Sequence, residues 1–171
     1  MDDFNRVIVG TAEVDVTPPV GTMLAGYGYE RQSEGIILPL KASIIVMNEG
    51  EKRCVMISCD FISMPAKEVN NIRRHIQNLT GIAPERVMIC CTHNHLGPEL
   101  RETEEWTYTG SDDEYVDRIE LQIAQAVVQA VKNQIRGRNA GYCGRRDGGC
   151  RIRRTPFSWD WSIRCRRPRR R

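Results

Sequence analysis

Two histidines at the end of an apolar strand are the residues of this chain best suited to chemistry. His93 and His95 lie in the run CTHNHLGP at 91–98, directly after the run ERVMIC at 85–90, which is typical of a buried strand. Open α/β sheets build their sites at the carboxyl ends of strands, and imidazole is the commonest side-chain metal ligand. Alternation along an extended strand would place both rings on one side. The pattern indicates either one metal ligand with a neighbouring polar group or a pair of solvated loop histidines.

A carboxylate is predicted to lie close to these histidines. Asp60 ends a second apolar strand, predicted at 53–61, and a helix predicted from about 65 to 80 joins that strand to the one before His93. In such a βαβ unit the two strands are parallel neighbours, so their carboxyl ends lie side by side. Asp60 could therefore accept the ring N–H of a metal-binding histidine and so orient its imidazole. Equally, it could only fix a turn or cap a helix.

The remaining pattern predicts an α/β fold in which a mixed sheet with a βαβ unit is flanked by helices. Strands are predicted at 6–16 and 40–47, and the second of these forms an antiparallel hairpin with the strand ending at Asp60. A long helix is predicted from about residue 111 to 136, with an apolar stripe that continues to Ile135. A further strand is predicted to begin at 139–142.

Length and composition are those of an ordinary globular protein. The chain has 171 residues, of which 40% are hydrophobic and 27% charged. No stretch approaches the ~18 apolar residues of a membrane span, and the acidic start lacks the apolar segment of a signal peptide. The default expectation is therefore a cytoplasmic protein, or a secreted one if the start site is misassigned. The seven cysteines follow no zinc-ribbon spacing, and their odd number favours reduced thiols.

Charge divides the chain near Tyr142. Residues 143–171 hold eleven Arg and two Asp, a net charge of +9, whereas the rest holds 14 basic and 20 acidic residues, a net charge of −6. A basic block of this kind is typical of a disordered segment or of one that binds nucleic acid or another anionic surface. Because the block has no amphipathic periodicity and no recognisable module, we expect disorder and no nucleic-acid partner.

Four motifs together resemble the amino-terminal part of the neutral/alkaline non-lysosomal ceramidases, over about residues 7–142. In chain order they are GTAEVDVTPP at 10–19, LAGYG at 24–28, SCD at 58–60 and CTHNHLGP at 91–98. The resemblance implies a zinc-dependent amidohydrolase that cleaves the lipid amide N-acyl sphingosine into sphingosine and fatty acid. It also implies that His93 is a zinc ligand and that His95 is a catalytic residue contacting substrate or zinc-bound water. Asp60 would then stand behind the metal ligand.

Two departures from the family pattern bear on activity. The segment at 35–40 reads GIILPL, where the family carries a GIHDPL-like stretch with a histidine and an aspartate. The family's other zinc ligands, a second His, a Glu and a Tyr, would follow residue 142, and here that region contains neither His nor Glu. A catalytic zinc site needs three or more protein ligands. The resemblance therefore implies a site that this chain leaves incomplete.

These observations predict an amino-terminal fragment of a ceramidase-like catalytic domain at 1–142, incomplete relative to the family and inactive as this truncated chain. Residues 143–171 would form a basic tail that is disordered or derived from a frameshift. The alternative is a non-catalytic α/β binding module whose basic tail contacts nucleic acid or an anionic surface. Stoichiometric zinc would favour the hydrolase, whereas salt-dependent retention on nucleic acid would favour the alternative.

Overall fold

The computed structural model describes residues 7–27, 31–100 and 112–136, which form a mixed sheet and two helices. The strands are β1 (Ile8–Asp15), β2 (Lys41–Glu49), β3 (Lys52–Cys59), β4 (Val87–Cys91) and β5 (Ile135–Arg136), in the sheet order β4-β3-β2-β1-β5. The helices are α1 (Ala66–Thr80) and α2 (Asp112–Lys132), with a short 3-10 helix at Pro84–Arg86. The predicted α/β fold class is confirmed. No helix in the described ranges is long and apolar enough to cross a membrane.

The predicted βαβ unit positions two strand ends side by side. β3 and β4 are parallel, and their last residues, Cys59 and Cys91, are register partners. α1 connects them and ends at Gly81, whose φ of 71° and N–H bond to the Gln77 carbonyl (2.8 Å) form a left-handed helix cap. Glycine adopts this conformation without the steric cost that a side chain brings. The carboxyl ends of β3 and β4 therefore meet at one edge of the sheet, as the sequence predicts.

The core lies between one face of the sheet and the two helices. Alternate residues of β2 and β3 point inward, and the inward-facing side chains of α2 recur at helical spacing. The largest fully buried aliphatic side chains are Val16, Ile44, Val46, Val55, Ile57, Ile72, Ile76, Val87, Ile119, Ile123 and Val127. Tyr115 is also buried, and its hydroxyl donates a 2.6 Å hydrogen bond to the carbonyl of Val16. This bond ties the start of α2 to the end of β1.

The carboxyl end of the long helix differs from the prediction. α2 stops at Lys132, and Ile135 pairs with Val9 in the two-residue strand β5. Ile135 is 59% exposed, so burial of its side chain does not favour extending the helix to that position. Pairing with the open edge of β1 instead satisfies backbone groups that a helix end would leave without partners. The strand predicted at 139–142 and residue 111, where the long helix was predicted to begin, lie outside the described residues.

A buried carboxylate joins the two helices. Glu120 of α2 is almost fully buried, and its Oε1 accepts a 3.0 Å hydrogen bond from Asn71 Nδ2 of α1. Its Oε2 is 4.0 Å from Nε2 of His75. Burial raises the pKa of Glu120 above the ordinary 4.5, and the charges of Glu68 and Asp117 raise it further. The Asn71 hydrogen bond and His75 act in the opposite direction.

Glu120→Gln is therefore expected to stabilise the protein at pH 7 and to leave it unchanged near pH 4. Because the folded-state pKa is raised, ionising Glu120 costs stability: the cost is absent below pH 4.5 and grows as pH rises through the raised value. The amide removes that cost, on the order of 1 kcal/mol, and retains an acceptor for Asn71. Urea unfolding at both pH values measures the difference. The exposed Glu85→Gln is the control, and an equal gain at pH 4 would contradict the explanation.

Candidate functional site

The backbone of the site continues the pairing of β3 and β4 beyond their last strand residues. The N–H of Thr92 donates to the carbonyl of Cys59 (3.0 Å), and the N–H of Asn94 donates to the carbonyl of Phe61 (3.2 Å). The fully buried Phe61 side chain anchors its segment in the core. The two chain segments that follow the strand ends thus run together, and they carry the histidines and Asp60.

The loop that carries the LAGYG motif packs against the segment that carries the two histidines. The N–H of Ala25 donates to the carbonyl of Gly97 (3.0 Å), and the N–H of Glu99 donates to the carbonyl of Met23 (3.0 Å). These bonds place the LAGYG motif beside the HNHLGP motif, although some seventy residues separate them in sequence. Gly97 is buried, and a Cβ there would lie 3.0 Å from the Asp60 carbonyl oxygen. Two of the sequence motifs therefore form one structural unit.

The two histidine rings lie together, but not by strand alternation. His93 has a left-handed backbone with φ of 63°, so the chain has left the extended conformation that the prediction assumed. The ring centroids of His93 and His95 are 5.1 Å apart, at an interplanar angle of 75°. His93 Nδ1 is 3.2 Å from the carbonyl oxygen of Ile62. Because a carbonyl oxygen only accepts hydrogen bonds, Nδ1 carries the proton in the neutral ring. The lone pair of Nε2 is then available to bind a metal ion.

His95 packs against a glycine. A Cβ placed on Gly26 would overlap Nδ1 of His95, and it would lie 2.6 Å both from Cε1 of that ring and from Cδ1 of Ile62. Gly26 also has a left-handed φ of 78°. The ring of Tyr27 meets His95 edge to face with a centroid distance of 6.2 Å, and the guanidinium of Arg31 lies 4.9 Å from the Tyr27 centroid. These neighbours of His95 were not predicted, because tertiary pairing alone brings them there.

Asp60 ties three chain segments together. Its Oδ2 accepts the backbone N–H of Lys41 (3.0 Å), its Oδ1 accepts the Thr92 hydroxyl (3.3 Å), and its carbonyl is 3.5 Å from Nδ2 of Asn94. Among the described hydrogen bonds, none joins Asp60 to a histidine; the partner of His93 is the Ile62 carbonyl instead. Asp60 therefore holds the segment that carries the histidines, and it does not bond to their rings.

Side-chain hydrogen bonds of Asp15 and Thr17 form the turn that follows β1. Asp15 Oδ1 accepts the N–H of Thr17 (2.8 Å), and Thr17 Oγ1 accepts the N–H of Leu40 (2.9 Å). The hydrogen bonds from Thr17 lower the pKa of the Asp15 carboxyl. This arrangement is an Asx turn that stops the strand before Pro18. The DVTPP motif thus forms the turn that ends β1, and the Asp15 carboxylate is already hydrogen-bonded within it.

The thiols at the strand ends are poor nucleophiles. Burial raises the pKa of Cys59 to about 12, and it also raises the pKa of the neighbouring Cys91. The reactive form of cysteine is the thiolate, which is scarce at neutral pH when the pKa is raised. The four cysteines that the structure describes are free thiols. The imidazoles are therefore the better candidates for chemistry at this edge of the sheet.

The histidine pair does not complete a metal site within the described residues. There, no group of three or more His, Cys, Asp or Glu side chains is placed to hold a metal ion. The third histidine, His75, lies on α1 against Glu120 and takes no part in the pair. His93 and His95 can supply at most two ligands, whereas zinc sites use three or four from protein.

Comparison with solved structures gives a clear relationship of fold. The described fold is similar to that of neutral ceramidase. The structure from Pseudomonas aeruginosa matches with a TM-score of 0.68 and 20% identity, over 77% of this chain and 22% of that one. A ceramidase described as complexed with C2 matches with a TM-score of 0.63 and 19% identity, over 75% of this chain and 22% of that one. No protein-family model and no curated protein sequence matches.

The comparison confirms the resemblance to neutral ceramidase at the level of the fold. The chain spans about one fifth of the length of these ceramidase structures. It is therefore incomplete relative to them, as the sequence predicts. At 19–20% identity the likeness shows a similar fold and does not assign roles to individual residues of this chain.

Gly26→Ala is expected to displace the His95 ring. The new methyl group would overlap His95 Nδ1, and the left-handed backbone adds strain of about 1 kcal/mol. Gly21→Ala is a matched control, because Gly21 has a φ of 94° but no atom within 4 Å of a methyl group placed there. Imidazole NMR signals measure the effect. The His95 signal should move in Gly26→Ala and stay in place in Gly21→Ala, and equal shifts would contradict the packing.

Proposed function

We propose that this chain carries part of the active site of a zinc-dependent lipid amide hydrolase of the ceramidase type. His93 is the metal ligand, and His95 is the neighbouring catalytic residue that contacts substrate or metal-bound water. The observation that carries the proposal is the position of the His93 ring. Its Nδ1 contacts the Ile62 carbonyl, which leaves Nε2 available to a metal ion, and its centroid lies 5.1 Å from that of the His95 ring. Metal-binding histidines characteristically donate their other N–H to a carbonyl or carboxylate in this way.

The backbone of His93 gives independent support. A non-glycine residue with φ of 63° is uncommon, although histidine tolerates it better than most residues. Such conformations cost free energy, and they cluster at sites where a side chain must be held in a particular direction. The surrounding hydrogen bonds of Thr92 and Asn94 fix the backbone on both sides of His93. The backbone of His93 is thus held on both sides by hydrogen bonds to the segment that follows β3.

Asp60 is proposed as a positioning residue and not as a partner of the rings. It bonds to the Lys41 N–H and to Thr92, and it thereby fixes the segment immediately before His93. This is a narrower role than orienting an imidazole. It accounts for a carboxylate at the end of β3 without requiring it to face the metal.

Zinc fits the described residues only in part. His93 has the orientation of a ligand and His95 lies beside it, but two imidazoles fall short of a catalytic ligand set. In a complete site, zinc lowers the pKa of bound water and polarises the carbonyl under attack. Two ligands alone do not support that chemistry. The proposal is that it supplies one part of a site whose other ligands lie elsewhere.

Zinc affinity tests the proposal, and the chain offers an internal control. We expect weak zinc binding, with a Kd above about 1 μM, because complete four-ligand sites owe their tighter binding to the full set. His93→Ala should weaken it by about tenfold or more, whereas His75→Ala should leave it unchanged. Competition with a chromophoric chelator measures both. Equal affinity in His93→Ala and the parent chain, or an equal loss in His75→Ala, would refute the assignment.

A further inference from the structure

The segment that carries the two histidines lies open at the surface. His93 and His95 are both exposed, and so are Thr92 before them and Leu96 after them. The side chains of Thr92, Asn94 and Leu96 carry no charge. Two copies of this segment therefore approach each other without the repulsion that like charges bring to an interface. The histidine pair is accessible to ligands from a second molecule.

The spacing of the two rings fits two ligands of one tetrahedral ion. Zinc lies ~2.0 Å from an imidazole nitrogen and so ~3.2 Å from the ring centroid, and a tetrahedral angle then separates two centroids by ~5.2 Å. The centroids of His93 and His95 are 5.1 Å apart. Nδ1 of His93 contacts the Ile62 carbonyl, and the Nδ1–Cε1 edge of His95 lies against Gly26. Nε2 is therefore the nitrogen that each ring has available for the ion.

Two imidazoles are half of the ligand set of a tetrahedral zinc site. Within the described residues of one copy, no group of three or more ligands is placed to hold a metal ion. Most soluble homo-oligomers are dimers in which the same surface of each copy meets its counterpart across a two-fold axis. An axis that passes beside His93 and His95 supplies the pair twice. Four imidazoles then surround one ion, and neither copy is complete without the other.

Exposed aliphatic side chains adjoin the histidine segment. Leu96 directly follows His95 and is 57% exposed. It borders the same groove as Ile36, Ile37 and Leu38, whose exposed fractions are 56%, 90% and 76%. A contiguous patch of this kind is typical of a surface that another protein covers. A second copy that shares an ion with the histidines lies close enough to cover Leu96.

We propose that the chain binds one zinc ion between two copies, each of which contributes His93 and His95. The inference rests on the proposed function for His93 as a ligand, and it adds His95 as the second ligand and a second copy as the source of the other two. In the dimer His95 binds the ion directly and does not contact metal-bound water. Four protein ligands close the coordination shell, as in structural zinc sites, and leave no position for water. The dimer is therefore an assembled state without hydrolytic activity.

Sedimentation equilibrium of the full chain during a zinc titration, with a reductant present, tests the proposal. At half an equivalent of zinc the average mass should reach about twice that of one chain, and a large excess of zinc should lower it again, because each pair then holds its own ion. His93→Ala and His95→Ala should each weaken the association by about a hundredfold, because each removes a ligand from both copies at about tenfold per ligand. His75→Ala should leave the titration unchanged. His95 lacks the left-handed φ of His93, so His95→Ala alters no special backbone position.

Leu96→Ser tests where the second copy lies. It should weaken the association by about tenfold, because a partly covered leucine is lost from each copy. Met88→Ser is the matched control, because Met88 lies on β4 and is exposed to a similar extent, 49% against 57%. It should leave the association unchanged. Equal effects of the two substitutions would overturn the placement of the second copy on the histidine segment.

The remaining outcomes separate this inference from the proposed function. A mass that doubles without zinc, or that keeps rising in excess zinc, would contradict a shared four-imidazole site. Association that survives in His95→Ala, or that is lost in His75→Ala, would overturn the ligand assignment. Zinc binding that depends on His93 while the chain stays monomeric would overturn the dimer and leave the proposed function standing. Absence of zinc binding at every chain concentration would refute both.

Discussion

The purified 171-residue chain is expected to show no measurable hydrolysis of N-acyl sphingosine, even with added zinc. The described residues offer no group of three metal ligands, and the two imidazoles alone do not hold a metal in the geometry that activates water and polarises the amide carbonyl. Enzymes accelerate reactions by roughly 10⁶-fold or more, and without that activation the amide is stable on the laboratory time scale. A fluorescent N-acyl sphingosine, with its product separated by chromatography, gives a sensitive measurement.

His93→Ala and His75→Ala make the turnover experiment decisive. Turnover that His93→Ala abolishes and His75→Ala leaves intact would refute the expectation, since it would show that a complete site forms around His93. Turnover that neither substitution changes would come from a contaminating enzyme. The absence of turnover in all three proteins, together with zinc binding that depends on His93, is the combination that we expect.

Gly10→Ala is expected to cause the largest loss of stability of any single substitution considered, about 2–3 kcal/mol in the free energy of unfolding. A Cβ at Gly10 would overlap the carbonyl oxygen of Ala130, and it would lie 2.8 Å from Cγ of Gln134. The obstacle is helix backbone, which cannot rotate away as a side chain can. α2 would have to move off β1, and the buried contacts beneath it would loosen.

Gly35→Ala provides the control for that measurement. Gly35 has no left-handed φ, and nothing lies within 4 Å of a methyl group placed there. Its unfolding free energy should therefore change by less than about 0.5 kcal/mol. Urea unfolding of both variants gives the comparison. Unfolding of Gly10→Ala at the same urea concentration as the parent chain would contradict the close approach of α2 to β1.

Local patterns were sufficient to predict most of the sheet and α1. Alternation in β2 and β3, a turn at Gly50 and a left-handed cap at Gly81 are each determined by residues within a few positions. The end of α2 could not be predicted in this way. The apolar spacing continues to Ile135, whereas the competing partner, the open edge of β1, is more than a hundred residues away in sequence. A local pattern carries no information about such a partner.

The candidate site shows the same division. Sequence spacing predicted that His93 and His95 would lie together, and their rings do, although the left-handed turn at His93 and not strand alternation brings them there. The contacts that hold them, from the Ile62 carbonyl and Gly26, depend on two loops meeting and leave no signal in spacing. For Asp60 the sequence left two roles open, and the described hydrogen bonds favour the turn-fixing one. Predictions for 143–171 lie outside the described residues.

The central claim, that His93 and His95 form a metal-binding pair with His93 ligating through Nε2, is tested most directly by imidazole NMR during a zinc titration. The chain has only three histidines, so each ring can be assigned by single substitution. We expect His93 to carry its proton on Nδ1 before zinc is added, as its contact with the Ile62 carbonyl requires. On adding zinc, the signals of His93 Nε2 and of His95 should move while that of His75 stays. A His93 ring protonated on Nε2, or a shift of His75 as large as that of His93, would contradict the claim.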